Sequence, residues 1–136
     1  MAAWDNDVIE QFRANGGKVG GPFAEYDLLL LTTVGAKTGR RYTKPLMYLA
    51  DGERYVIVAA NAGAPAHPAW FRNLCAHPAA TVEVGATVVE TTARVVEPGP
   101  EYDRLYGAMT DILPALGDFA RTAGRVIPVV ALVPRC

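Results

Sequence analysis

Serine is absent from this chain. A Ser-His-Asp hydrolase is therefore excluded. Histidine and cysteine are scarce as well, being limited to His67, His77, Cys75 and Cys136. Four such residues with no metal-ligand spacing cannot build a zinc site, and two cysteines cannot build a disulfide framework. Cys75 lies among apolar neighbours and reads as a buried thiol rather than a nucleophile. Charge of one sign is also missing. The formal net charge is −1, so nothing resembles the basic field of a nucleic-acid binder. No apolar run reaches the ~18 residues that span a bilayer. Trp4, Asp5 and Asp7 stand where a basic and then apolar leader would be, so no secretory leader is expected and the cytoplasm is the default setting.

What is present suffices for one well-packed domain. Of the 136 residues, 51% are hydrophobic and 20% charged, which argues against disorder. Residues 4–14 place Val8, Ile9 and Phe12 with Trp4 on one face of an amphipathic helix, and Asn15-Gly16-Gly17 ends it. Its charged residues are mainly acidic, so membrane contact is possible but not indicated, and packing on the domain is the plainer expectation. Three strands follow: Leu28–Thr33, Thr43–Leu49 with Pro45 marking a bulge, bend or edge, and Tyr55–Ala60 after an Asp51-Gly52 turn. A helix is expected from Pro68 to Ala76, with proline at its first position. Thr81–Val84 and Val88–Val96 flank Gly85-Ala86 as a second hairpin. Glu101–Ala123 reads as helix interrupted at Gly107, Pro114 and Gly117, and Val126–Val133 as a last strand. About six antiparallel strands without βαβ alternation imply a mainly β, α+β barrel with peripheral helices. Residues 1–22 form its N-terminal helix and connector, and residues 23–136 the barrel.

Three segments carry candidate chemistry. The loop Gly35-Ala36-Lys37-Thr38-Gly39-Arg40-Arg41 lacks the Walker form, since Ala36 stands directly before Lys37. Exposed N–H groups and three cations could still hold an anion; a solvated turn is the bland alternative. Ala59-Ala60-Asn61-Ala62-Gly63 has small side chains that admit a flat ring or pack a barrel corner. His67 through Asn73 opens a helix whose N–H groups favour an anion, and Trp70 either stacks on a ring or fills the core. With no catalytic cluster evident, an organic cofactor that supplies the chemistry is the economical reading.

These segments, in this order, resemble one family. Leu-Leu-Thr-Thr-Val-Gly-Ala-Lys-Thr-Gly over 30–39, Pro45-Leu46-Met47-Tyr48, Val58 to Gly63, His67 to Leu74 and Arg125 to Val129 look like the deazaflavin-dependent nitroreductase family of actinobacteria, group A of the F420H2-dependent oxidoreductases. The resemblance implies a split β-barrel related to FMN-binding flavoproteins. It implies coenzyme F420, a deazaflavin with a phospholactyl-oligoglutamate tail. It further implies hydride transfer to an activated C=C, such as an enone or unsaturated lactone, or to a quinone. Carried over by position, Ala36, Lys37 and Thr38 match the tail-binding turn, with Arg40 and Arg41 beside it. Tyr42, Thr43, Lys44, Pro45, Leu46 and Met47 match the adjoining strand, where the family often has Arg at the place of Tyr42. Ala59, Ala60, Asn61 and Ala62 match the segment along the ring, Asn61 being a candidate hydrogen-bond donor to the acceptor. Ala69, Trp70, Phe71, Arg72 and Asn73 match the helix opening beside it. Leu113, Leu116 and Phe119 stand where nitroimidazole-activating members carry tyrosines, which implies an apolar acceptor pocket. The alternatives are the same barrel with FMN, and a non-catalytic carrier of the deazaflavin or of a quinone. Monomer and homodimer both remain open.

Overall fold

The structure is a computed structural model that describes residues 3–19, 27–60, 66–124 and 126–135, except for the side chains of residues 3–6, 119, 120 and 123. Helix α1 spans Ala3–Ala14. Strands β1 (Leu28–Val34), β2 (Arg41–Met47), β3 (Leu49–Asp51) and β4 (Arg54–Val58) follow, then α2 (Ala69–Ala76). Next come β5 (Ala79–Val84), β6 (Thr87–Val95), α3 (Pro100–Ile112), α4 (Ala115–Ala123) and β7 (Val129–Pro134).

All pairings are antiparallel, in the order β2-β1-β5-β6-β7-β4-β3. The two edge strands are consecutive in the chain, with Tyr48 alone between them. Met47 and Leu49 are at most about 7.6 Å apart across two peptide units. The edges of the sheet therefore meet there, and the sheet curls into the expected split β-barrel. The expected second strand is in fact one bent segment that changes partners at Tyr48, giving seven strands rather than six. Pro45 sits on edge strand β2 opposite Leu30, where its missing N–H breaks no second ladder.

The unbroken Leu28–Leu31 run is explained by burial on both faces. Leu29 and Leu31 point into the barrel with Ile57, Val82, Val130 and Leu132. Leu28 and Leu30 meet Val8 and Phe12 of α1 on the outside. Each such leucine contributes roughly 1.5–3 kcal/mol by leaving water. Gly16 and Gly17, at φ 63 and 99, end α1 in the left-handed region, and Arg13 ties the helix to Glu83 of β5 at 2.8 Å. Helix α3 covers the opposite outer face through Leu105, against Val56, Val129 and Ala131.

Other differences from the sequence reading are local. Helix α2 begins at Ala69, with Pro68 as its extended N-cap. The long helical stretch breaks only at Leu113-Pro114, where proline denies a backbone donor; Gly107 and Gly117 lie inside α3 and α4. Cys75 is exposed, not buried, because the inward stripe of α2 is Trp70, Phe71, Asn73 and Leu74. Among the described residues no helix is long and apolar enough to cross a membrane. Trp4's side chain, Arg125 and Cys136 lie outside the described residues.

A charge network locks the β3–β4 turn to α3. Asp51 accepts from Arg104 at 3.1 Å and from Arg54, and Arg54 also donates to Glu101 at 3.1 Å. Arg104 and then Arg54 hold the Asp51 carboxyl down at about 2. Between the unfolded value near ~3.9 and that folded value, the unfolded chain binds more protons. The stabilisation is thus complete above about pH 4 and is lost as pH falls towards about 2. Arg104→Gln should lower the urea midpoint at about pH 5 and converge with the parent near about pH 2. Parallel curves at both pH values would contradict this.

Candidate functional site

The barrel is split where β2 leaves β3. Leu49, Ala50 and Asp51 pair with Val56, Tyr55 and Arg54. Continued backwards, the same register would set Met47 against Val58 and Pro45 against Ala60. Those four residues instead line an open pocket of about 170 Å³. Leu46, Leu28 and Val8 of α1 complete one side, and Met109, Leu113 and Leu116 the other. The expected residues Pro45, Leu46, Met47, Ala60, Leu113 and Leu116 are thus brought together. Val8, Leu28, Val58 and Met109 are lining residues that the sequence reading does not mark as part of a site. Met109 had a legible signal, standing four residues before Leu113 on the same helical face.

Tyrosines of α3 hold Leu116 and Ile127 in place. Tyr106 Oη donates to the Leu116 carbonyl at 2.6 Å, and Tyr102 Oη donates to the Ile127 carbonyl at 2.5 Å. The two rings stack at 5.7 Å. Burial pushes the Tyr102 phenol up, which keeps it a donor. Both hydroxyls are thus engaged with backbone, and the pocket wall they support is apolar.

At the other end of β2 stands the basic loop. The Gly35 N–H donates to the Arg40 carbonyl at 2.7 Å, and the Gly39 N–H to the Gly35 carbonyl at 3.0 Å. Gly39, at φ 71, supplies the left-handed corner. The Arg40 N–H donates to Thr38 Oγ1 at 3.2 Å, and Thr38 Oγ1 shares a 3.0 Å hydrogen bond with Tyr42 Oη. Tyr42 is therefore a brace of the loop. Lys37, Arg40 and Arg41 are exposed and make no ion pair among the described residues. Thr43 bonds Thr32 across the ladder at 2.8 Å, and Lys44 is half-buried.

Helix α2 closes the barrel. Trp70, Phe71 and Leu74 sit in its interior with Ala59, the Trp70 and Phe71 rings meeting edge to face at 6.3 Å. Ala69 and Arg72 are exposed, and Asn73 is buried. Asn61, Ala62 and the Phe119 side chain lie outside the described residues. No group of three or more potential metal ligands occurs among the described residues.

Comparison with known proteins bears on this geometry. The F420H(2)-dependent quinone reductase family model matches residues 4–134. An F420H(2)-dependent quinone reductase of Mycobacterium tuberculosis is 38% identical over 128 residues, covering 91% of this chain and 85% of its own. A solved F420-H2 dependent reductase is 33% identical, with TM-score 0.71, covering 77% of this chain and 92% of that one. A second solved structure, a domain-swapped dimer, is 30% identical, with TM-score 0.73, covering 95% and 96% of the two chains.

The loop geometry makes its own prediction. A Cβ at Gly35 would lie 2.6 Å from Thr38 Oγ1 and 2.7 Å from Tyr42 Cε2. Gly35→Ala must therefore turn aside the Thr38 hydroxyl and the Tyr42 ring, both on exposed side chains, and should lose about 1 kcal/mol, the worth of their shared hydrogen bond. Chemical denaturation should read that loss, and an unchanged midpoint would show that the loop reshapes freely.

Proposed function

The chain belongs to the F420H(2)-dependent quinone reductase family, and on that premise we propose that it reduces a lipophilic quinone, or a similarly activated enone or unsaturated lactone. Coenzyme F420 in its reduced form is the family's cofactor, and the chain is an F420H2-dependent oxidoreductase.

The observation that carries the proposal is the layout of β2. Cations flank its start, and Pro45, Leu46 and Met47 line an apolar cleft at its end. Arg41 and Pro45 are separated by roughly 13 Å of extended chain. That matches a cofactor with a flat ring and an anionic tail. Lys37, Arg40 and Arg41, together with loop N–H groups, would hold the tail through charge-assisted hydrogen bonds. The cleft between β2 and β4 would take the ring beside its acceptor. Bound there, reduced F420 supplies a hydride.

The chain's own residues supply placement and a dry environment. Met109, Leu113 and Leu116 form an apolar wall that favours flat, lipophilic acceptors at ~25 cal/mol per Å2. Asn61 is the proposed donor to the acceptor oxygen, and the proton is drawn from solvent. Tyr102 and Tyr106 are engaged with backbone carbonyls and so are poor candidates for that proton. A membrane quinone as acceptor would favour a cytoplasmic protein working at the inner face of the membrane. The similar domain-swapped dimer supports a homodimer over a monomer.

An acceptor panel tests this reading. With reduced F420 in excess, naphthoquinones, benzoquinones and cyclic enones should show higher kcat/KM than bicyclic nitroimidazoles, whose developing anion needs positioned donors. A higher value for the nitroimidazoles than for every quinone and enone would overturn the acceptor assignment.

A further inference from the structure

Asn73 is a polar side chain, 8% exposed, on a helix face that is otherwise apolar. A buried amide is costly unless hydrogen-bonded. Both of its polar atoms are engaged, and with different elements. Nδ2 donates to Thr33 Oγ1 at 3.1 Å, near the end of β1. Oδ1 accepts from the Ala36 N–H at 3.0 Å, one residue into the basic loop. Thr33 is itself 1% exposed, so its hydroxyl is paired away from water.

The helix that carries Asn73 has little freedom to move. Trp70, Phe71 and Leu74 anchor it in the barrel interior. The loop's other side-chain hydrogen bonds stay within the stretch from Gly35 to Tyr42. They set its shape, while the β1–β2 ladder, ending at Val34 opposite Arg41, anchors only its base. The amide of Asn73 connects that internally braced loop to the rigid core.

We infer that Asn73 is a positioning residue for the anionic tail of the coenzyme. It acts through Ala36, fixing how the loop and its Lys37 stand off the barrel, and is not itself a contact to the coenzyme. The inference rests on the reading that this loop holds the tail. It differs from the expectation that Asn73 binds the coenzyme directly: the amide is 8% exposed, and one Nδ2 hydrogen and one Oδ1 lone pair are engaged within the protein. When the link is cut, the loop visits other orientations. The apparent Kd then rises by the inverse of the fraction that remains competent.

The test uses two ligands and two variants. The ligands are F420 and the same deazaflavin riboside without its phospholactyl-glutamate tail, both titrated into the purified protein. The variants are Asn73→Ala and Thr33→Val, the second removing the hydroxyl that orients the Asn73 amide without altering the loop. For Asn73→Ala, the Kd for F420 should rise about tenfold, a fraction competent of about one tenth. The Kd for the tail-less riboside should stay within about twofold. Thr33→Val should shift F420 affinity in the same direction, and the double variant should add little to Asn73→Ala. Exchange of the Ala36 amide in the coenzyme-free protein should quicken in both variants. Equal loss for both ligands, or unchanged F420 affinity in Asn73→Ala, would overturn the inference alone. A parent protein that binds F420 no tighter than the riboside would overturn the tail-loop reading on which it rests.

Discussion

A single extended segment serves both edges of the sheet, and the site depends on that constraint. Residues 41–51 pair with β1 as far as Met47 and with β4 from Leu49 onward. The backbone cannot satisfy both neighbours along its whole length. The ladder with β4 therefore stops at Leu49, and the gap beyond it becomes the apolar cleft. Tyr48 is the pivot, its ring packed edge-on against Tyr55 at 5.7 Å and its phenol pushed up by burial. Proline is tolerable in β2 because the strand has one hydrogen-bonded neighbour there. The cleft is thus a product of closing this sheet, and the helices complete its walls.

The same strand links two unlike chemistries. Its start faces water and carries charge, and its end faces a pocket of Met, Leu and Val side chains. Burying cations beside the apolar wall would be costly without partners. Separation along β2 avoids that cost while keeping both ends on one rigid element. The loop is preorganised by backbone hydrogen bonds, the Thr38–Tyr42 brace and Asn73. Little ordering of the loop itself would then oppose binding of an anion there. At the other end, Tyr106 and Tyr102 engage their hydroxyls with the backbone carbonyls of Leu116 and Ile127.

Much of this is legible in the sequence. The strand order along the chain, the hairpins at Asp51-Gly52 and Gly85-Ala86, the amphipathic first helix and the basic loop all follow from local patterns. Local patterns did not reveal the change of partner at Tyr48, because Thr43 to Leu49 reads as one strand whichever neighbour it has. Cys75 has apolar neighbours in sequence, yet the helix turns it outward. Tyr42 looked like a departure from a basic position, and its role as the loop brace depends on Gly35 having no side chain for it to strike. Asn73 stood in the expected segment, yet its links to Thr33 and Ala36 span 40 and 37 residues and carry no short-range signal.

On the proposed reading, the loop and cleft together select a tailed deazaflavin. Separate equilibrium titrations of the coenzyme-free protein with F420, FMN and FAD, at low and high salt, test it most directly. F420 should bind most tightly, and its advantage should shrink as salt screens the exposed cations. FMN or FAD binding more tightly than F420, or an F420 advantage indifferent to salt, would contradict the claim.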